Sequence, residues 1–299
     1  MNNDGTKVDL QAQWFMSLST EGGRRLCATM TADQMREIAA DVVANDANRE
    51  NALVEHALRL ISPAATPALE SVYEHQLNLV RREAAWKVGR LDLAKFRRQL
   101  HVVGGHWLKE AGGVPAVNIS AMQVFPTDGM AVSTCLFPGR RLAIYGEGLL
   151  IENYSHIAPT LELIKQGIAG VRAADALLEA NGVFNTFPDF VHQGHGAVMG
   201  SLFGVPRPFA SGFAQLCARP SCVLIPINVD CRLDRVEVEI LEPTQMPVVS
   251  AKELRSEANL AGLTRFIGST LEHLIRKRPE SWALLNTLSM HCEQMPQVA

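Results

Sequence analysis

Gln123 and Asp128 stand five positions apart in the run Gln123-Val-Phe-Pro-Thr-Asp128, between an apolar segment and a helix-forming one. A carboxylate at the start of a helix can cap free backbone amides, or it can orient a neighbouring group that handles a proton. The carboxamide of Gln123 has no pKa near neutrality, so it donates and accepts hydrogen bonds without shuttling protons. Further along, His192-Gln-Gly-His195 sets two imidazoles three residues apart, which could ligate a metal or carry a proton. No third ligand stands at a telling spacing and two glycines lie nearby, which also describes an ordinary loop. Arg207 follows a Phe-Gly turn, where it could hold an anionic group by two parallel hydrogen bonds or lie on the surface.

Short apolar runs at 114–119, 142–145, 183–187, 201–203, 221–229 and 236–241, separated by turn formers or helical stretches, indicate strands. They predict an α/β protein, a mixed central sheet flanked by helices. The first run leads as a buried strand into Gln123, and Gly129–Leu136 enters a helix packed against it. Val236-Glu-Val-Glu-Ile240 alternates strictly, which predicts a half-exposed edge strand.

The first hundred residues read as helices. Thr31-Ala-Asp-Gln34 has capping-box spacing, and apolar positions recur at helical intervals through Ile61, where Ser62-Pro63 and Thr66-Pro67 break the pattern. A second long helix is expected from Pro67 past Trp86 into Arg98. At the other end, Ser250-Ala-Lys-Glu253 reads as a capping box before a helix carrying Leu260, Leu263, Ile267, Leu271 and Leu274. Pro279 ends that helix, and Trp282 is expected in the core. The organisation is an N-terminal helical region, 1–100, followed by an α/β domain, 101–295.

A formal charge of −3 over 299 residues provides no basic field, so nucleic acid is not an expected partner. Arg81-Arg82 and Arg276-Lys277-Arg278 are expected on solvated helix faces. The N-terminus is polar, without the apolar core of a signal peptide, and no run of about 18 apolar residues predicts a spanning helix. Six cysteines, at 27, 135, 217, 222, 231 and 292, form no CxxC pair and read as reduced, buried thiols of a cytoplasmic protein.

Several segments together resemble one family. Val114–Leu136 is similar to a strand leading to His, four residues, then Asp or Glu; Asp128 holds the acidic position and Gln123 replaces the His. Gly182-Val-Phe-Asn-Thr-Phe-Pro-Asp189 looks like its strand ending in Pro-Asp, and Ser201-Leu-Phe-Gly204 like its strand ending in Phe-Gly. Pro220–Ile227 and Leu271–Trp282, with its Pro-Glu-x-Trp ending, follow in the right order. The resemblance is to the lipid A biosynthesis (lauroyl/myristoyl) acyltransferases, within the lysophospholipid acyltransferase-like group.

The expected activity is transfer of an acyl or aminoacyl group from a thioester-type donor, and the resemblance implies a groove for an acyl chain, no tightly bound cofactor, and a donor that is acyl-CoA or an acyl-carrier thioester. An acyl carrier protein or partner enzyme is the implied partner, and a small or carrier-bound molecule the acceptor. In such proteins the His takes the acceptor's proton and the acid orients it. Here the expectation is a cleft lined by Gln123 and Asp128, walled by Asp189, His192 and His195, with Arg207 steadying an anionic part of the donor. Gln123 could direct a hydrogen bond at the oxygen that gains charge, and His192 could carry the proton. The alternatives are a non-catalytic chain that binds an acyl chain or supports a partner enzyme, and a fold recruited to different chemistry.

Overall fold

The computed structural model describes residues 17–45, 49–64, 66–145, 157, 161–164, 167–190, 196–217, 219, 222–245, 253 and 256–288. It opens with α1 (Glu21–Cys27), α2 (Ala32–Ala44), α3 (Arg49–Ile61), α4 (Leu69–Lys87) and α5 (Leu93–Gln99). The capping box is present: the Gln34 amide N–H donates to the Thr31 hydroxyl, and the Thr31 N–H to the Gln34 side chain. The helix expected to run on to Ile61 is two helices, because Asn45 leaves helical geometry at ψ 90°. Asn51 then donates to the carbonyls of Val42 and Val43, joining α3 to the end of α2. The second long helix is also two. Gly89 takes φ +72°, and Asp92 caps α5 by accepting from the Lys95 amide at 2.7 Å.

α4 is buried nearly all round, from Val72 to Trp86. α1 and α2 cover one side; α7 (Pro126–Leu136) and a 3₁₀ turn (Pro279–Ser281) meet another. A helix so enclosed must find partners for every polar side chain it carries.

Beyond α5 the chain forms the strands β1 (Leu100–Val103), β2 (Ala116–Ile119), β3 (Leu142–Tyr145), β4 (Leu161–Ile164) and β5 (Val183–Thr186). After β6 (Ala197–Leu202) and β7 (Val205–Ala210) come β8 (Val223–Cys231), β9 (Val236–Ile240) and β10 (Thr244–Gln245). The main sheet has the order β1-β9-β8-β2-β5-β3-β4, with β10 also paired to β8. β2 lies parallel between β5 and β8, with Asn118 opposite Asn185 and Ile225. Antiparallel pairing of β8 with β9 makes the sheet mixed.

Helices α6 (Gly105–Glu110), α8 (Ile168–Glu179), α9 (Ser211–Cys217) and α10 (Glu257–Lys277) complete the flanking layers. β6 and β7 form a separate hairpin, turned by Phe203 and Gly204 at φ +54° and +79°, as a two-residue turn requires. α10 packs on that hairpin and buries Leu263, Ile267, Leu271 and Leu274. Ser256 caps α10, accepting from the Asn259 amide; residues 250–252 of the expected capping box lie outside the described residues. One continuous apolar cluster runs from Leu18 to Leu288, so the helical region and the sheet share a core.

β9 is not the edge strand its alternation predicts, since β1 pairs outside it. Alternation reports one polar face, and here that face meets the cationic end of α10. Lys277 reaches Glu239 at 2.6 Å and Arg278 reaches Glu237 at 3.1 Å. Among the described residues no helix is long and apolar enough to cross a membrane.

Gly104 starts α6 at φ +78°, and a Cβ there would lie 2.1 Å from the Ile240 carbonyl oxygen. Gly104→Ala is therefore expected to lower the unfolding free energy by more than about 2 kcal/mol, from backbone strain and collision together. Urea titration checks this, and an unchanged midpoint would contradict the close approach.

Candidate functional site

Asp128 lies in the first turn of α7 and is 2% exposed. Its carboxylate is taken by α4. Arg82 Nε donates to Oδ2 at 2.7 Å and Nη2 to Oδ1 at 3.0 Å, while Trp86 Nε1 donates to Oδ1 at 2.8 Å. Arg82 and Trp86 are four residues apart, one helical turn, so both reach the same group. Arg82 Nη1 continues to the carbonyl of Arg232 and to the Gln99 side chain. Burial works to discharge this guanidinium, but Asp128 outweighs it and holds the group above its ordinary value. The pair is buried, bidentate and hydrogen-bonded on all sides, the geometry that offsets the cost of desolvating two charges.

The solvated face expected for Arg81-Arg82 is thus corrected. Arg82 is 1% exposed, and Arg81 is partly buried and donates to the Met30 carbonyl.

Gln123 faces another helix. It is 1% exposed, with Nε2 at 3.5 Å from the Leu274 carbonyl in the last turn of α10 and 3.4 Å from that of Arg278, which also accepts from the Ser281 amide at 3.1 Å. Its Oε1 has no partner among the described residues. The open cleft expected between Gln123 and Asp128 is not what these contacts describe. One side chain closes onto α10, the other onto α4.

Sequence reasoning missed His75. It lies on α4, seven residues before Arg82 and so on the same stripe, close to the backbone of Gln123 and facing Asp230, Arg232 and Arg278. Neither ring nitrogen has a well-aligned hydrogen bond among the described residues. Burial pulls the imidazole down to about 4; Asp230 opposes this, and Arg232 and Arg278 add to it. Asp230 Oδ2 accepts from Arg232 at 2.9 Å and is 3.1 Å from Arg278 Nη1. The available signal was the polar stripe His75, Arg82, Trp86 on a helix also rich in apolar residues.

Asp189 and Arg207 form a second buried group. Asp189 Oδ2 accepts from the Met122 amide and from Trp282 Nε1, both at 2.7 Å. Burial raises the Asp189 carboxyl, and those two donors oppose the rise. Arg207, 1% exposed, donates to the Asp189 carbonyl and reaches the Thr287 hydroxyl at 3.4 Å. Its guanidinium also lies over the Trp282 ring at 5.9 Å. A surface position for Arg207 is corrected: it braces the strand end from inside. Trp282 is fully buried, as expected.

His192 and His195 lie outside the described residues. Among the described residues no three His, Cys, Asp or Glu side chains could hold a metal ion. Cys222 and Cys231 are buried free thiols pushed up by burial, which makes them poor nucleophiles. Compared with known proteins, the chain matches no family model, and no curated protein matches it.

Removing one partner of a buried pair leaves the other charge uncompensated. Arg82→Leu is expected to cost about 3–5 kcal/mol, and adding Asp128→Leu should restore most of that loss. Denaturant titrations of the double-mutant cycle measure it, and a single-variant loss below about 1 kcal/mol would refute the buried pair.

His75 gives a pH dependence of defined sign. Its folded-state pKa of about 4 lies below its ordinary 6.5, so between those values the unfolded chain binds more protons. Its contribution is fully present above about pH 6.5 and declines as pH falls toward 4, with a limiting slope of about 1.4 kcal/mol per pH unit. Unfolding free energies across that range should fall more steeply for the wild type than for His75→Leu. Parallel curves would place His75 in water.

Proposed function

We propose that this chain is a divergent member of the lysophospholipid acyltransferase-like group that acts by binding, either holding an acyl chain or supporting a partner enzyme or acyl carrier protein in the cytoplasm. One observation carries this reading: Asp128, which the resemblance makes the orienting acid, is already the bidentate partner of Arg82 and an acceptor from Trp86. To orient a base it would have to release a buried guanidinium, at a cost of several kcal/mol. Gln123 adds nothing that moves a proton, and its amide is directed at the end of α10.

A transferase reading has one observation in its favour. His75 puts an imidazole beside Gln123 and within the field of Asp230, so α4 could supply the base that position 123 lacks. It ranks second because an imidazole held near 4 is a weak base at neutral pH, and it is 3% exposed. The donor would be acyl-CoA or an acyl-carrier thioester and the acceptor a small or carrier-bound molecule, the same partners that the binding reading engages without turnover.

Release of free thiol from acyl-CoA and acyl-carrier thioesters separates the two. Wild type and Gln123→His are both expected to release thiol at the uncatalysed rate, because a restored imidazole would still lack a free carboxylate. Wild-type turnover that drops about 100-fold in Asp128→Asn, with the fold intact by circular dichroism, would overturn the binding reading. Turnover abolished by His75→Gln and retained in Asp128→Asn would establish the relocated base.

A further inference from the structure

β1 is one edge of the main sheet, and among the described residues β9 is the one strand paired with it. In a parallel ladder alternate residues turn their N–H and C=O away from the partner strand. Among the described residues, 101–103 make no backbone hydrogen bond outside that ladder. His101, Val102 and Val103 are exposed in succession, so both faces of the strand are open, with Val102 at 41% and Val103 at 66%.

An open edge recruits another strand unless a charge, a proline or a bulge blunts it. β4, at the opposite edge, carries Glu162 in an ion pair with Arg141. β1 has no such device. Leu100-His-Val-Val103 contains no carboxylate, lysine, arginine or proline, and its register against β9 runs without a break.

The charges around the edge select the partner. At its amino end stand the exposed Arg97 and Arg98, in the last turn of α5, and Arg235, itself paired with Glu237; Asp234 opposes them. At its carboxyl end Gly104 abuts the Ile240 carbonyl, which places the exposed Glu242 there, and Glu110 closes α6; Lys109 opposes these. The edge is therefore basic at one end and acidic at the other. A second copy running antiparallel brings each basic end to the other's acidic end, whereas a parallel one sets like ends together. A twofold axis normal to the sheet generates that antiparallel pair and keeps the two faces aligned. Leu100 and Val102 share a face with Val236 and Val238, and His101 and Val103 share the other with Glu237 and Glu239.

We propose that β1 is a dimerisation edge, pairing antiparallel with β1 of a second copy of this chain about a twofold axis at Val102, so that the main sheet continues across two chains. Val102 then meets its own copy, and His101 lies across from Val103, which covers both exposed valines. Four residues a side make a small contact, at the weak end of specific interfaces, so monomer and dimer exchange in solution. The proposal stands whether or not the chain transfers acyl groups.

Sedimentation velocity of the full chain at rising concentration tests it. The wild type is expected to pass from monomer to dimer. Val102→Lys sets two like charges opposite each other and is expected to weaken the dimer about 100-fold, with circular dichroism unchanged. Val102→Cys, about 4.5–5.5 Å from its copy between Cα atoms, is within disulfide reach. On oxidation it is expected to cross-link faster than the wild type or Leu26→Cys, which is exposed elsewhere. A wild type that stays monomeric would overturn the proposal. So would a dimer that Val102→Lys leaves unchanged, or cross-linking of Val102→Cys no faster than that of Leu26→Cys. Slow hydrogen exchange at the 101–103 amides of monomeric Val102→Lys would show the edge already covered by its own chain, and would overturn it as well.

Discussion

The ion pair between Arg82 and Asp128, completed by Trp86, is the constraint around which the other contacts are arranged. Two charges withdrawn from water survive only when every remaining lone pair and proton is met. Arg82 accordingly also reaches the Arg232 carbonyl and Gln99, while Asn78, one turn earlier, donates to the Cys231 carbonyl at 2.6 Å. These contacts hold α4 against the end of β8 and the first turn of α7. The helical region is thereby joined to the sheet as part of one core, with Trp86 and Phe96 packed against each other behind the pair.

The segment between β2 and α7 is held from several directions by the same logic. The Met122 amide donates to Asp189, its carbonyl accepts from the Ala283 amide at 2.8 Å, and Gln123 turns toward the end of α10. A loop held by its backbone on both sides is well ordered, which is what a reaction centre needs. The same contacts occupy the groups that chemistry would use. This is the physical tension between the two functional readings, and it lies in side-chain partners, not in the fold.

Much of the architecture was legible because its signals are local. The runs at 142–145 and 183–187 became β3 and β5 almost to the residue, and Thr31-Ala-Asp-Gln34 formed its capping box. What failed depended on neighbours. The Arg81-Arg82 pair looked like a solvated face because no local pattern shows that other helices enclose α4. The alternation of 236–240 identified a strand with one polar face, but whether its edges are paired is decided by β1, more than a hundred residues earlier. β1 itself went unread, since Leu100-His-Val-Val103 is exposed over most of its length and lacks the strong apolar pattern of a buried strand.

The candidate site divides along the same line. Residue types alone determined that position 123 shuttles no proton, because a carboxamide has no pKa near neutrality wherever it sits. They also determined a mixed α/β fold, because apolar spacing is local and the hydrophobic effect acts on it directly. Only the tertiary structure decided what Asp128 is for. A carboxylate's role depends on which donors come within 3 Å of it, and here those donors come from a helix 42 to 46 residues away along the chain.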